Sequence, residues 1–241
     1  MSKGARAVRV KDDSTPFIIY HPYPCHKLPP MSQDIPSEGI VTTSIDIGIK
    51  NFAIRLERRF SSGIAYPIYF DKIDFTKYGV DTSDSSGTST VDPRVLNAAT
   101  EFMKTVLPHI KESRLIGIER QMAINTKATK MFQHILTTLL IYAPQFTYPD
   151  CIIFDIWAKL KGKMLGVPQG LNTPALKEWT INRVLEILEN RGDTWSINVI
   201  NHHRGKTKTK ADDLADTVAQ MEAFFILNKG AITPTPIIIN L

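Results

Sequence analysis

Residues 39–60 read "GIVTTSIDIGIKNFAIRLERRF". The first half, "GIVTTSIDIGI", is rich in β-branched residues and bounded by glycine. The second, "NFAIRLERRF", follows at once. That composition predicts two strands turning on residues 48–51. A third strand, "AYPIYFDKIDF", completes a three-strand antiparallel meander. Beyond residue 92 the apolar period changes. "PRVLNAATEFMKTVLPHI" places Val95, Leu96, Ala99, Phe102, Met103 and Val106 at helical spacing. The strand "RLIGIER", the amphipathic helix "NTKATKMFQHILTTLLIYA" and the strand "CIIFDIW" come next. The helix "NTPALKEWTINRVLEILEN" follows, with Asn172 or Thr173 as its cap and Pro174 in its first turn. "DDLADTVAQMEAFFILN" is the last helix. Strands that alternate with helices pair in parallel and are covered on both faces. The expectation is therefore an α/β domain, with a mixed sheet built from an antiparallel meander followed by parallel strands.

The chain has 241 residues, 43% of them hydrophobic, and a formal charge of +5. That suffices for one large core with extensions. We expect an irregular N-terminal extension over 1–38, punctuated by "HPYPCHKLPP". One folded domain should span 39–228. Within it "GVDTSDSSGTSTVDP" makes 79–91 a mobile loop, and the proline-rich 229–241 forms an extended tail. Cys25 and Cys151 stand far apart without a motif, which argues against a disulfide framework and for a reducing compartment. No apolar run has the length of a membrane span. The start "MSKGARAVRVKDD" has no apolar signal core, though its basic character leaves a mitochondrial leader open. The modest positive charge permits a nucleic-acid partner without identifying one.

Three groups of acids stand out. Asp46 lies within "SIDIGI", where a strand normally buries apolar side chains and an unpaired carboxylate is costly. Glu119 closes the apolar run "LIGIE", and strand ends in an open α/β sheet face a crevice. Asp212, Asp213 and Asp216 share one arc of the last helix. Each has an ordinary explanation: a turn hydrogen bond for Asp46, a surface ion pair for Glu119, the helix dipole for the aspartates. Yet one capping acid would satisfy the dipole, and three like charges on one arc repel unless a cation sits among them. Hard oxygen ligands of this kind suit Mg²⁺ or Mn²⁺.

The motifs "SIDIGIKNFA", "IGIERQ", "IFDIWAKLKGKMLG" and "KTKADDLADT", in this order, resemble those of the RuvC-type Holliday junction resolvases of the RNase H-like superfamily. The likeness is to the poxvirus, large-DNA-virus and yeast mitochondrial members in particular, and spans roughly residues 39–227. The resemblance implies an RNase H-like nuclease domain and a Mg²⁺-dependent endonuclease. It would hold two ions, with Mn²⁺ able to substitute, on Asp46, Glu119, Asp213 and Asp216, with Asp212 as the alternative to Asp213. It also implies a catalytic lysine near the scissile phosphate, for which Lys177 is the first candidate and Lys163 the second. The substrate would be branched DNA, four-way junctions cut by paired symmetric nicks that leave 5′-phosphate and 3′-hydroxyl ends. Lys159, Lys161, Lys163, Arg204, Lys206, Lys208 and Lys210 would contact backbone phosphates, which give affinity with little sequence information.

Paired cuts need a two-fold dimer. The resemblance places much of its interface on the helix after the Glu119 strand, with Met131, Phe132, Ile135, Leu136 and Leu139 as apolar candidates. His202 and His203 form no zinc pattern. The implied setting is intracellular, at viral replication sites in a host cytoplasm, with the mitochondrion as the alternative. Two rival readings are kept. "SIDIGIKNFAI" also resembles the first phosphate loop of the actin and heat-shock ATPase fold, but no second phosphate loop or adenosine motif accompanies it. A catalytically inactive junction-binding protein is the other.

Overall fold

The computed structural model describes residues 17–20, 38–78, 90–121, 125–206 and 211–228. Its sheet is seeded by the quoted hairpin. β2 (Ile40–Asp46) and β3 (Phe52–Arg59) pair antiparallel, and β4 (Ala65–Ile73) pairs antiparallel with β3. Gly48 lies in the connecting turn, where a Cβ would stand 2.8 Å from the Asn51 carbonyl oxygen. A side chain there would push the turn open just beyond Asp46. After α1 (Pro93–Ile110), β5 (Ser113–Glu119) runs parallel to β2. After α2 (Thr126–Tyr142), β6 (Ile152–Ile156) runs parallel to β5. These are the mixed sheet and the α/β class read from the sequence.

One expectation for residues 1–38 is corrected. Phe17–Tyr20 forms a strand, β1, which pairs antiparallel with β6 and extends the sheet to six strands in the order β1-β6-β5-β2-β3-β4. Its four residues are too few to stand out among prolines. Two helices also escaped the sequence reading: α3 (Ala158–Leu165) and α5 (Thr194–Lys206). α3 is short and rich in lysine, and Gly166 ends it in the left-handed conformation, φ 81°. α5 carries almost no apolar stripe, so periodicity could not reveal it. α4 (Thr173–Asn190) is capped by the Asn172 side chain, which accepts from the Ala175 N–H at 3.0 Å. The loop proposed over 79–91 falls outside the described residues at 79–89, as does the tail 229–241.

Strand alternation sorts the helices onto two faces. Ile45, Phe52, Ile54 and Leu56 pack with α1 and α2 residues such as Met103, Ile110, Met131 and Ile135. Ile40, Ala53, Leu115 and Phe154 face the other way, toward α3, α4 and α6 (Asp212–Leu227). Of the five apolar candidates for a dimer interface, Met131, Ile135 and Leu139 are buried in this chain's own core, and Phe132 and Leu136 pack against it.

The second face also buries charge. Arg55 donates to Glu57 at 2.7 Å, Asp193 at 2.9 Å and Ser196 at 2.7 Å, and Arg59 donates to Glu57 at 2.6 Å and Glu222 at 2.5 Å. Arg191 adds a second guanidinium to Glu222. Three arginines thus meet three acids. The network ties β3 to the α4–α5 connection and to α6. Burial opposes the charged form of Glu57, but Arg59 and Arg55 outweigh it and hold the carboxyl far below the usual range.

Candidate functional site

β2 ends at Asp46, and the pairing register carries a row of residues across the sheet from it. Ile45 lies beside Ile118, so Asp46 and Glu119 are neighbours on adjacent parallel strands. Asp46 pairs with Ala53, and Ala53 pairs with Lys72 on β4. All four side chains belong to the face beneath α6. Ala53, with no exposed surface, packs with Ala211, Leu214 and Ala215. A small side chain there lets the first turn of α6 approach the sheet. Deeper along β2, Ser44 donates to Gln220 at 2.9 Å in the interior and fixes how far α6 slides.

That placement brings Asp216 over Asp46 and Glu119. One carboxylate oxygen from each of the three lies within 4.8 Å of the other two. The ammonium of Lys161, from α3, bonds Glu119 at 2.9 Å and Asp216 at 2.6 Å. Burial, then the charge of Glu119 and a hydrogen bond to it, raises the Asp46 carboxyl well above the usual carboxylate range. Burial also pushes Glu119 up, but the adjacent Lys161 overrides it and the net shift is downward. Asp216 is raised to about 6: burial raises it, Lys161 opposes, and Glu119 adds to the rise. For Lys161, burial disfavours the charge, yet Asp216, Glu119 and Asp46 together hold it firmly protonated. Acids driven apart in this way, with a specific charge partner between them, are a feature of functional sites.

The remaining site residues read from the sequence are placed as follows. Asp213 is not one of the three; it accepts from Lys72 at 2.5 Å, and the Lys72 side chain is 6% exposed. Asp212 is buried and accepts from Lys177 at 2.5 Å through Oδ2. Its Oδ1 is buried and has no hydrogen-bond partner among the described residues. The N-cap of α6 is Ala211, so none of these aspartates serves in that position. Lys177 therefore borders the cluster through Asp212. Lys161, expected at the DNA-facing rim, instead has its ammonium among the carboxylates. Lys163 lies in the last turn of α3, and the Lys159 ammonium sits 5.5 Å from the Trp157 ring centroid. Arg204 pairs with Glu178. Lys206 ends α5, and Lys208 and Lys210 lie outside the described residues.

Oxygen-only donors on rigid strand ends and a helix suit a hard divalent cation. Asp46, Glu119 and Asp216 gather at one point, and the buried Asp212 Oδ1, on the same helix as Asp216, has no donor among the described residues. The residues present fit such an ion.

No family model matches the chain. The yeast mitochondrial Holliday junction resolvase superposes with a TM-score of 0.53 at 15% identity, over 83% of this chain and 84% of that one. The chain shares the fold of that resolvase. The resolvase of fowlpox virus, solved with substrate Holliday junction DNA, aligns more loosely, with a TM-score of 0.48 at 14% identity over 79% of this chain and 99% of that one. In sequence, uncharacterized protein 97L of Invertebrate iridescent virus 3 is 32% identical over 109 residues, 44% of this chain and 45% of that relative. The match thus spans less than half the length of the curated relative. Among the described residues no helix is long and apolar enough to cross a membrane.

Proposed function

We propose that the protein is a divalent-cation-dependent endonuclease that resolves four-way DNA junctions by paired nicks. The observation that carries this reading is the convergence of Asp46, Glu119 and Asp216 at one point of a resolvase-type sheet. Mg²⁺ bound there, or Mn²⁺ in its place, supplies activation of a water and charge stabilisation of the leaving oxygen. The chain's own residues do the rest. Asp46, Glu119 and Asp216 hold the negative charge that binds the ions, and Glu119 also helps orient the attacking water. Lys161 and Lys177 border the same point and stabilise charge that develops on the phosphate. Lys159, Lys163, Arg204, Lys206, Lys208 and Lys210 contact backbone phosphates. Products carry 5′-phosphate and 3′-hydroxyl ends, ready for ligation. A two-fold dimer supplies two such sites with the symmetry of the junction. The iridescent-virus relative and the fold favour an intracellular setting at viral replication sites.

The test is cleavage of a synthetic four-way junction in Mg²⁺ or Mn²⁺, set beside linear duplex and flaps. Preferential paired nicking of the junction is expected. Glu119→Gln should still bind the junction but lose cutting by at least roughly 100-fold, more than loss of an outer partner costs. A wild-type protein that binds junctions yet never nicks them in either metal would sink the enzyme reading. It would leave the inactive junction-binding alternative in place.

A further inference from the structure

Three aspartates open α6, and each faces a different lysine: Asp212 faces Lys177, Asp213 faces Lys72 and Asp216 faces Lys161. The three pairs differ in how firmly the acid is held. Lys72 comes from the sheet itself, 6% exposed, at the far end of the row Glu119, Asp46, Ala53, Lys72. Turning Asp213 toward a cation would take a 2.5 Å partner from a buried ammonium, which is costly where water cannot replace it. Lys177 is different. Its side chain is 48% exposed, so water can take over from Asp212 at little cost. Asp212 is itself 4% exposed, and its Oδ1 is buried with no partner among the described residues. A buried, unsatisfied carboxylate oxygen is unfavourable unless something positive completes it. Asp212 and Asp213 stand four and three residues before Asp216, and both spacings place side chains on one side of a helix, so the choice between them rests on their partners.

We infer that the fourth carboxylate of the cation site is Asp212, and that Asp213 is a positioning residue fixed to Lys72, setting where α6 begins over the sheet. This rests on the proposed function, because it takes the cluster of Asp46, Glu119 and Asp216 to be a divalent-cation site.

The test is Mn²⁺ binding by calorimetry to the full chain without DNA, together with melting temperature. Asp216→Asn and Asp212→Asn should each weaken Mn²⁺ by about 10-fold or more, the range a lost site partner produces. Asp213→Asn should stay within about threefold of wild type and lower the melting temperature instead. Lys72→Met should lose the same stability, and Lys72→Arg, which keeps the ion pair, should recover it. The assignment is overturned if Asp213→Asn weakens Mn²⁺ as much as Asp216→Asn does. It is also overturned if Lys72→Met tightens Mn²⁺ by about 10-fold, since Asp213 would then have joined the site once released. A wild type that binds no Mn²⁺ fails differently: it removes the cation-site reading, and the assignment goes with it.

Discussion

Asp216 is a carboxyl whose burial, beside Glu119, raises it to about 6 despite Lys161. The folded state therefore keeps a proton that the unfolded chain has released. Between the ordinary aspartate range and about pH 6, stability falls as pH rises, by linkage. A cation must displace that proton, so Mn²⁺ affinity should climb as pH rises toward about 6 and level off above it. Calorimetric titrations across that window check this, and Asp216→Asn should flatten the profile. Lys161 gives a second prediction. Its ammonium neutralises Glu119 and Asp216 in the interior, so Lys161→Met leaves two carboxylates facing each other. We expect a loss of about 3 kcal/mol in chelator by urea denaturation, the scale for breaking a buried pair. Mg²⁺ should recover more stability in the variant than it adds to wild type. The acids themselves were legible in the sequence because carboxylates at the ends of apolar strands break the pattern. Lys161 was not, because a lysine among lysines reads as surface charge until α3 is known to turn it inward.

At the scale of elements, irregularities in the strand ladders decide what lies in the site row: one between Val41 and Thr42 in the β2–β5 ladder, and one in the β3–β4 ladder that brings in Lys72. Arg59 pairs with Ala65 and Glu57 with Pro67, but Leu56 pairs with Tyr69, so Ile68 is an extra residue in β4. Counting an unbroken ladder from the hairpin turn would set Asp71 opposite Ala53. The bulge sets Lys72 there, a basic residue in place of an acidic one. No residue pattern announces this, which is why Lys72 was missed. α5 packs through Ile200 and is also tied in by charge. Its entry at Asp193 and Ser196 is fixed by Arg55, which is 1% exposed. Arg55→Met should cost about 3 kcal/mol, since it leaves buried Asp193 without its ionic partner and Glu57 with Arg59 as its remaining hydrogen-bonded guanidinium. Urea unfolding monitored by circular dichroism measures it, and a loss below about 1 kcal/mol would assign the network no structural weight.

At the scale of the whole molecule, the proposed paired cuts call for a second copy. Met131, Ile135 and Leu139 are consumed by the chain's own core, whereas Ile141 is 66% exposed near the end of α2. If two sites act on opposed strands, mixed dimers of wild type and Glu119→Gln should nick a cruciform plasmid once and leave it circular. Wild type should linearise it. Linearisation by mixed dimers at the wild-type rate would separate the two cuts from the dimer.

The sequence by itself determined the α/β class, the meander and the parallel strands, because side-chain period and β-branched composition act locally. It also determined which acids are out of place, since burying a carboxylate has a cost visible in any strand. Only the tertiary structure decided which acids meet. The choice among Asp212, Asp213 and Asp216 depends on the slide of α6 fixed by Ser44 and Gln220, on the room left by Ala53, and on a bulge at Ile68. Those are distances between segments far apart in the chain, and no local preference encodes them.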